Sequence, residues 1–422
     1  MNSSFFSLQY TSILPYFILM ALFYFEASII LRTVPFYKRA LAQDLADRNH
    51  FAQLDGLRGL LAISVFFTHS ETFHQMWVTG SWDLPPSKFY SQLAVGPVSM
   101  FFLITGYLFW SKAQKGTKEG LVVFFQHRLR RLFPAYLFAV LLVCIVIAFL
   151  SNFHRTVSIF SLIRGSIGLL SFNMIPGPAL NNLENTSLIY AGVFWSLRVE
   201  WMFYIAYPLL ALFARTWRRQ LLLVLITFGL YILLPIVRGH MHGQHGTLGL
   251  GTIQYFIFFL VAFFSFGMVA AFIKKNYRLE SLANSMPATL LGIAVIVALF
   301  LFVPPTLDWV EGAVLVFPFL LVVYGNSFFG LLLTRPLILL GQVSYSTYVL
   351  HGVVLYTINH LLARTINMAT ISPLGFWLVT ALIGTAVVCL SALSYRFFEA
   401  PFMKGYGMKK TTIVTAPALG VH

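Results

Sequence analysis

Charge is what this sequence has least of. Of 422 residues only 10% are Asp, Glu, Lys or Arg, against roughly 25% in an average soluble domain, which excludes an ordinary water-soluble globular protein. Acidic residues are the scarcer sign, 13 against 28 basic ones. Cysteine is nearly absent. Cys144 and Cys389 each lie in an apolar stretch, away from any metal-ligand spacing. They imply no disulfide framework and leave the redox compartment open. There is also no long polar block to build a separate soluble domain, no internal repeat and no low-complexity tract.

What is present is apolar: 59% of residues are hydrophobic and 17% aromatic, including 43 Phe. That suits lipid-facing helices and interfacial aromatic belts. The formal charge of +15 is spread in short clusters between apolar runs, not along one polar face. The expected partner is therefore a bilayer and not nucleic acid. A spanning helix needs about 20 mostly apolar residues. Segments near 11–32, 54–72, 92–111, 131–150, 188–214, 219–237, 252–273, 287–303, 309–326, 337–361 and 376–397 meet that standard. The fold class expected is all-α: a polytopic integral membrane protein with about eleven transmembrane helices. The first segment is too long for a signal-peptide core and reads as a retained helix. Its Glu26 must face protein or water. Residues 157–172, interrupted by Arg164 and Gly165, read as an interfacial or re-entrant piece.

With these spans the basic clusters fall on one side at nearly every loop, leaving Lys88, Arg155, Arg164, Arg238 and Arg364 on the other. By the positive-inside rule the N-terminus is outside and the C-terminus cytoplasmic. The longest external loop, 151–189, is broken by Pro176, Gly177 and Pro178 and could shape an entrance for an external substrate.

Few residues in the spans can carry chemistry. In Leu54-Asp55-Gly56-Leu57-Arg58-Gly59 and the run to His69, Arg58 and His69 are eleven positions apart. That is three helical turns, about 16 Å along one face. A lone histidine would read as a hydrogen-bonding residue between helices; Arg58 on its face and a carboxylate elsewhere in the membrane favour a function. The carboxylate is Glu200, in Trp195-Ser196-Leu197-Arg198-Val199-Glu200. Arg198 and Glu200 point about 200° apart, so each needs a partner on another helix. Glu200 either orients His69, as a carboxylate does for a catalytic imidazole, or locks helices together. Arg128, Arg130 and Arg131 at a helix mouth read as positive-inside anchoring or as a phosphate grip. Thr105-Gly106-Tyr107 permits close helix approach, or leaves room for a narrow acyl or pantetheine chain. Tyr345, Tyr348 and His351, spaced by three, form a structural network or one wall of a site. The histidine-rich loop 238–245 lacks a nearby carboxylate or cysteine and reads as a solvated turn, so no metal site is expected. Asn185-Thr186-Ser187 matches the short glycosylation pattern. Trp77, Trp82 and Tyr90 are able to stack on sugars, although interfacial aromatics are also ordinary anchors.

Together these segments, over roughly 50–405, resemble the acyltransferase-3 family of membrane O-acyltransferases. The motifs are the Arg58 to His69 spacing, Thr105-Gly106-Tyr107, Arg128-x-x-Arg131, Trp195–Tyr204, Ser344–His351 and Tyr395–Pro401. Arg198 and Trp201 depart from the pattern. The resemblance implies a ten-helix core preceded by an extra helix and a cytoplasmic linker in 1–49, with a cytoplasmic tail in 406–422. It implies no permanently bound cofactor. The donor substrate would be acyl-CoA, usually acetyl-CoA, held by Arg128 and Arg131 with Thr105 and Tyr107 along its path. The acceptor would be a hydroxyl of a cell-surface or exported polysaccharide, lipopolysaccharide or glycolipid at a bacterial inner membrane. His69 would act as general base, or carry the acyl group itself, with Glu200 and Arg58 beside it. Asp55, Trp195, Ser196, Tyr204, Tyr345 and His351 would support substrate or site. The rival classes are a transporter of a small molecule or polysaccharide precursor without acyl transfer, since intramembrane His, Arg and Glu also mark transport paths, and a non-catalytic scaffold or sensor.

Overall fold

Within a bilayer, an apolar chain can satisfy its backbone N–H and C=O groups internally by coiling into helices. The computed structural model describes residues 8–46, 51–116, 120–175, 177–240 and 247–403, with 234–240 and 247–252 given by backbone alone. The described residues form helices and no strand. In chain order the helices are α1 (Leu14–Thr33), α2 (Pro35–Ala46), α3 (Ala52–Thr79), α4 (Lys88–Gln114), α5 (Leu121–Leu150), α6 (Ile159–Leu170), α7 (Thr186–Ile189), α8 (Phe194–Leu210) and α9 (Trp217–His240). They continue as α10 (Thr247–Phe259), α11 (Ser265–Asn276), α12 (Glu280–Ala283), α13 (Met286–Phe302), α14 (Trp309–Val323), α15 (Arg335–Gln342), α16 (Ser344–Leu362), α17 (Pro373–Ser394) and α18 (Ala400–Met403).

Some of the helices that start from loops carry polar caps. Ser158 accepts the N–H of Ser161 at 3.1 Å, Asp308 those of Val310 and Glu311 at 2.9 and 3.1 Å, and Ser372 that of Gly375 at 3.1 Å. Each satisfies a donor that the first helical turn leaves unpaired.

Helix α3 is the hub, packed against α4, α15 and α16. The α3–α15 crossing is backbone on backbone: a methyl added at Gly341 would lie 1.9 Å from the Asp55 carbonyl oxygen. At the α4–α10/α11 crossing, one added at Gly106 would lie 2.4 Å from the Phe264 carbonyl. Gly106 thus serves close helix approach. Helix α1 shares the core, with Phe23 fully buried against Phe66 and Phe67 of α3. Glu26 accepts a hydrogen bond from Thr385 at 2.6 Å, so it faces α17 as the cost of an intramembrane carboxylate requires. On the outer surface Leu137, Leu141, Ile145 and Phe149 of α5, spaced by four, are 43, 55, 42 and 65% exposed. An exposed apolar stripe of this length is stable against lipid and not against water.

Five described helices are long and apolar enough to cross a membrane: Leu14–Thr33, Lys88–Gln114, Leu121–Leu150, Ile253–Asn276 and Pro373–Met403. The α15–α16 pair, bent by 68°, makes a sixth if it is one broken span. This is fewer than the expected eleven. Helices coincide with the other segments, but α13 and α14 are short, and α3 and α8 carry Asp55, Arg58 and Glu71 or Arg198 and Glu200. The charges of α3 make it too polar to count as a span by composition, and α8, at 17 residues, is also too short.

Candidate active site

A cavity with about 1200 Å³ of empty space, part of it open to the exterior, lies between α3, α4, α5, α8 and α16. Its walls include the apolar Val98, Phe101, Phe102, Leu108, Leu132 and Leu197. One end collects Arg58 from the start of α3, Lys112 from the end of α4, and Arg128 and Arg131 from the first turns of α5. Against these four cations stands one lining carboxylate, Glu200. Such a surplus of guanidinium and ammonium in an apolar slot suits an anionic ligand.

Glu200 is fixed within this group. The Tyr204 hydroxyl, one helical turn on, donates to its carboxylate, and Arg131, Arg128 and Arg58 all lie within electrostatic reach. Arg58 Nη1 donates to Asp55 at 2.7 Å, with both side chains under one-fifth exposed. Asp55 thus aims the guanidinium without lining the cavity. Arg128 sits over the Phe109 ring, 5.2 Å from its centroid. Tyr345 lines the cavity, and its buried hydroxyl has no hydrogen-bond partner among the described residues. It is a donor ready for a ligand.

Ser196 and Tyr348 close another part of the wall. The Ser196 and Tyr348 hydroxyls lie 2.6 Å apart and share the Val193 carbonyl as acceptor, at 3.1 and 3.3 Å, so that one of them donates to the carbonyl and the other to its neighbour. Beyond Tyr348, with ring centroids 5.9 Å apart, is His351, fully buried. Its Nδ1 lies 3.0 Å from the Thr347 carbonyl and its Nε2 lies 3.0 Å from Nδ1 of His69. Nδ1 of His69 is also 3.0 Å from the Val65 carbonyl. Carbonyls only accept, so each ring carries its proton on Nδ1. His69 Nδ1–H then faces two acceptors, the Val65 carbonyl and His351 Nε2, and is shared between them. The lone pair of His69 is left on Nε2, on the edge of the ring away from its partner.

The sequence expectations divide accordingly. The cavity brings together Arg58, Arg128, Arg131, Glu200, Thr105, Ser196, Tyr204 and Tyr345. His69 and His351 stand behind Tyr348, paired with each other. Glu200 faces the arginines and Tyr204, and the side chain that meets His69 is His351. Tyr107 does not line the cavity. Two positions from Thr105 it points about 200° away, packed against Phe51 and Phe319. Trp195, next to Ser196, packs on Phe102 and Phe259. Arg198 is likewise turned off the cavity, and its buried Nε has no acceptor among the described residues. The side chains of 238–245 lie outside the described residues. Lys112, which belongs to no motif, also lines the wall, as does Ser344 at the head of the Ser344–His351 motif; Glu399, the acidic residue of the Tyr395–Pro401 motif, accepts a hydrogen bond from Ser346 and lies within electrostatic reach of Arg131.

Comparison with known proteins agrees with the motifs. The chain is 26% identical over 379 residues to the O-acetyltransferase OatA of Staphylococcus aureus strain NCTC 8325 / PS 47, covering 83% of this chain and 57% of that protein. OatA of strain COL of the same organism gives the same values. The chain therefore spans somewhat over half the length of these curated relatives. No solved structure matches significantly. The model of one family, described as an acyltransferase domain, matches residues 51–396, which takes in the arginine cavity and the histidine pair alike, and the chain belongs to that acyltransferase-3 family.

Proposed function

We propose that this chain is a membrane O-acyltransferase that carries an acyl group, most simply acetyl from acetyl-CoA, to a hydroxyl of a cell-surface or exported polysaccharide, lipopolysaccharide or glycolipid. The observation that carries this reading is the cationic cavity whose wall, at Tyr348, touches a histidine pair with one free imidazole nitrogen. The donor's phosphates lie against Arg128 and Arg131 at the cytoplasmic mouth, with Lys112 and Arg58 nearby. The pantetheine arm follows the apolar wall past Thr105 toward Tyr348. The full set of about eleven spans, N-terminus out and C-terminus in, at a bacterial inner membrane, fits this direction of travel.

In the reaction His69 Nε2 takes the proton of the acceptor hydroxyl as its oxygen attacks the thioester carbon. The C–S bond breaks, and the proton passes from Nε2 to the leaving thiolate, so an ester and free CoA thiol are formed. While His69 holds the extra proton, its Nδ1–H is stabilised by the lone pair of His351, the part played elsewhere by a carboxylate. Arg58, aimed by Asp55, and the Tyr345 hydroxyl lie on the donor's side.

A second reading has Nε2 attack the thioester itself: the C–S bond breaks, CoA leaves as the thiolate, and the acceptor hydroxyl then takes the acyl group from the acyl-histidine, giving up its proton as the free imidazole is restored, so that ester and CoA thiol are the net products. The placement of His69 behind Tyr348, outside the donor cavity wall, favours such a relay. Initial-rate kinetics separate the two: a ternary-complex pattern with no trapped acyl-enzyme excludes the relay.

The test of the activity is transfer of label from acetyl-CoA to extracted surface glycan by the purified protein. The expected result is transfer by the wild type and its loss in H69A. Transfer unchanged in H69A overturns the assignment of the base, and movement of glycan across the membrane without acylation overturns acyl transfer in favour of transport.

A further inference from the structure

Helix α3 ends at Gly80, whose φ of 78° is a left-handed cap, natural for glycine and strained for other residues. The chain turns back there, and Ser81 fixes the turn by donating to Asp83 at 2.5 Å. As a result Trp82 folds back over α3. Its indole lies within 16° of parallel to the His69 ring, centroids 6.3 Å apart, and the edge of fully buried Phe73 meets it at 4.9 Å and 82°. A tryptophan serving only as a membrane anchor directs its ring to the lipid interface. This one is packed on the proposed base, at the end of α3 opposite Arg58, and is half-buried.

The surface continues with half-buried aromatic rings. Tyr356 meets Phe73 edge-on and stacks on His360 with centroids 3.8 Å apart, and His360 in turn packs against Trp77 at 5.3 Å. Trp77 Nε1 is buried with no hydrogen-bond acceptor among the described residues, a cost normally removed by a partner. Flat aromatic faces next to an unsatisfied N–H and an exposed carboxylate, Asp83, match a pyranose. Such a ring is apolar on its C–H faces and carries hydroxyls around its rim, so stacking and hydrogen bonding are met together.

From this we infer that Trp82, with Trp77 and Tyr356, forms the acceptor subsite, taking a sugar ring of the glycan on the face away from the arginine cavity and directing a rim hydroxyl at His69 Nε2. The inference rests on the acyl-transfer reading and adds to it the class of acceptor and the residues that select it. Donor and acceptor then approach the histidine pair from opposite ends of α3.

The experiment compares two acceptors with acetyl-CoA as donor: extracted surface glycan, which has rings to stack, and glycerol, which has hydroxyls and none. The expected result for W82A is a fall of about tenfold or more in kcat/KM for glycan relative to that for glycerol, with the glycan KM raised, W82F being intermediate. W77F, which keeps an aromatic face but removes the unpaired N–H, lowers the same ratio less. A ratio unchanged in both W82A and W77F, whether both activities fall together or neither does, overturns the subsite while leaving acyl transfer standing. Failure of the wild type to acylate either acceptor overturns the acyl-transfer reading, and the subsite with it.

Discussion

His351 Nε2 stands 3.0 Å from His69 Nδ1, joining α16 to α3 through two imidazoles whose protons are both placed by carbonyls of their own helices. If His351 acts only by holding and stabilising His69, the two residues form one unit. H69A is expected to lower kcat by about 10²–10⁴-fold, the usual worth of a general base. H351A is expected to lower it less, and H69A/H351A no further than H69A alone, because residues acting as a unit are not additive. The acetyl-CoA KM should stay near its wild-type value in both single variants. Multiplied losses in the double variant would show two independent roles.

The donor end is tested at Arg128 and Arg131. A charge-assisted hydrogen bond is worth about 1.5–3 kcal/mol, so R131A is expected to raise the acetyl-CoA KM by roughly ten- to a hundredfold. R131K should recover only part of this, since a lysine cannot reproduce a guanidinium fork. The contrast to measure is between acetyl-CoA and acetyl-pantetheine. The wild type should prefer the phosphate-bearing donor and R128A/R131A should lose most of that preference. An equal preference before and after would mean that these arginines do not meet the phosphates.

How much of this was legible in the sequence follows from what helical spacing can and cannot tell. Arg58, Arg128, Arg131 and Glu200 are conspicuous because charge in an apolar helix is costly, and all four line one cavity. Spacing also fixes which residues share a face: Glu200 and Tyr204, four apart, meet. The same rule, applied within Thr105-Gly106-Tyr107, separates Tyr107 from Thr105, as it separates Arg198 from Glu200. Which helix faces which is not encoded in periodicity. The sequence therefore pairs His69 with a carboxylate on another helix, Glu200, whereas the packing of α3 on α16 gives it His351. Two histidines on different helices carry no pattern that announces their pairing.

Close packing at Gly341 supports the site from below. A methyl there would lie 1.9 Å from the Asp55 carbonyl oxygen, in backbone that cannot rotate away as a side chain could. G341A is expected to destabilise the protein by about 1–3 kcal/mol, the usual range for overpacking. Since Asp55 holds Arg58, the fraction that folds should also bind acetyl-CoA more weakly. A thermal-shift series in detergent, with and without acetyl-CoA, reads both effects. Unchanged melting would mean that α3 and α15 separate at no cost.

Glu399 sits where the last spanning helix loosens into a π-turn over Tyr395–Glu399. Its carboxylate accepts from the Ser346 hydroxyl, which in turn lies 2.7 Å from that of Ser394, and it lies within electrostatic reach of Arg131. Glu399 does not line the cavity, so its influence on the donor must pass through Arg131. E399Q preserves shape and hydrogen-bonding capacity but removes the charge that competes for the guanidinium. The expected outcome is a severalfold change in acetyl-CoA KM with kcat nearly constant, and no further change when E399Q is added to R131A. That coupling separates positioning from simple structural damage, which would lower the amount of folded enzyme equally in both backgrounds. An E399Q effect of the same size in R131A as in the wild type would remove Arg131 from the path.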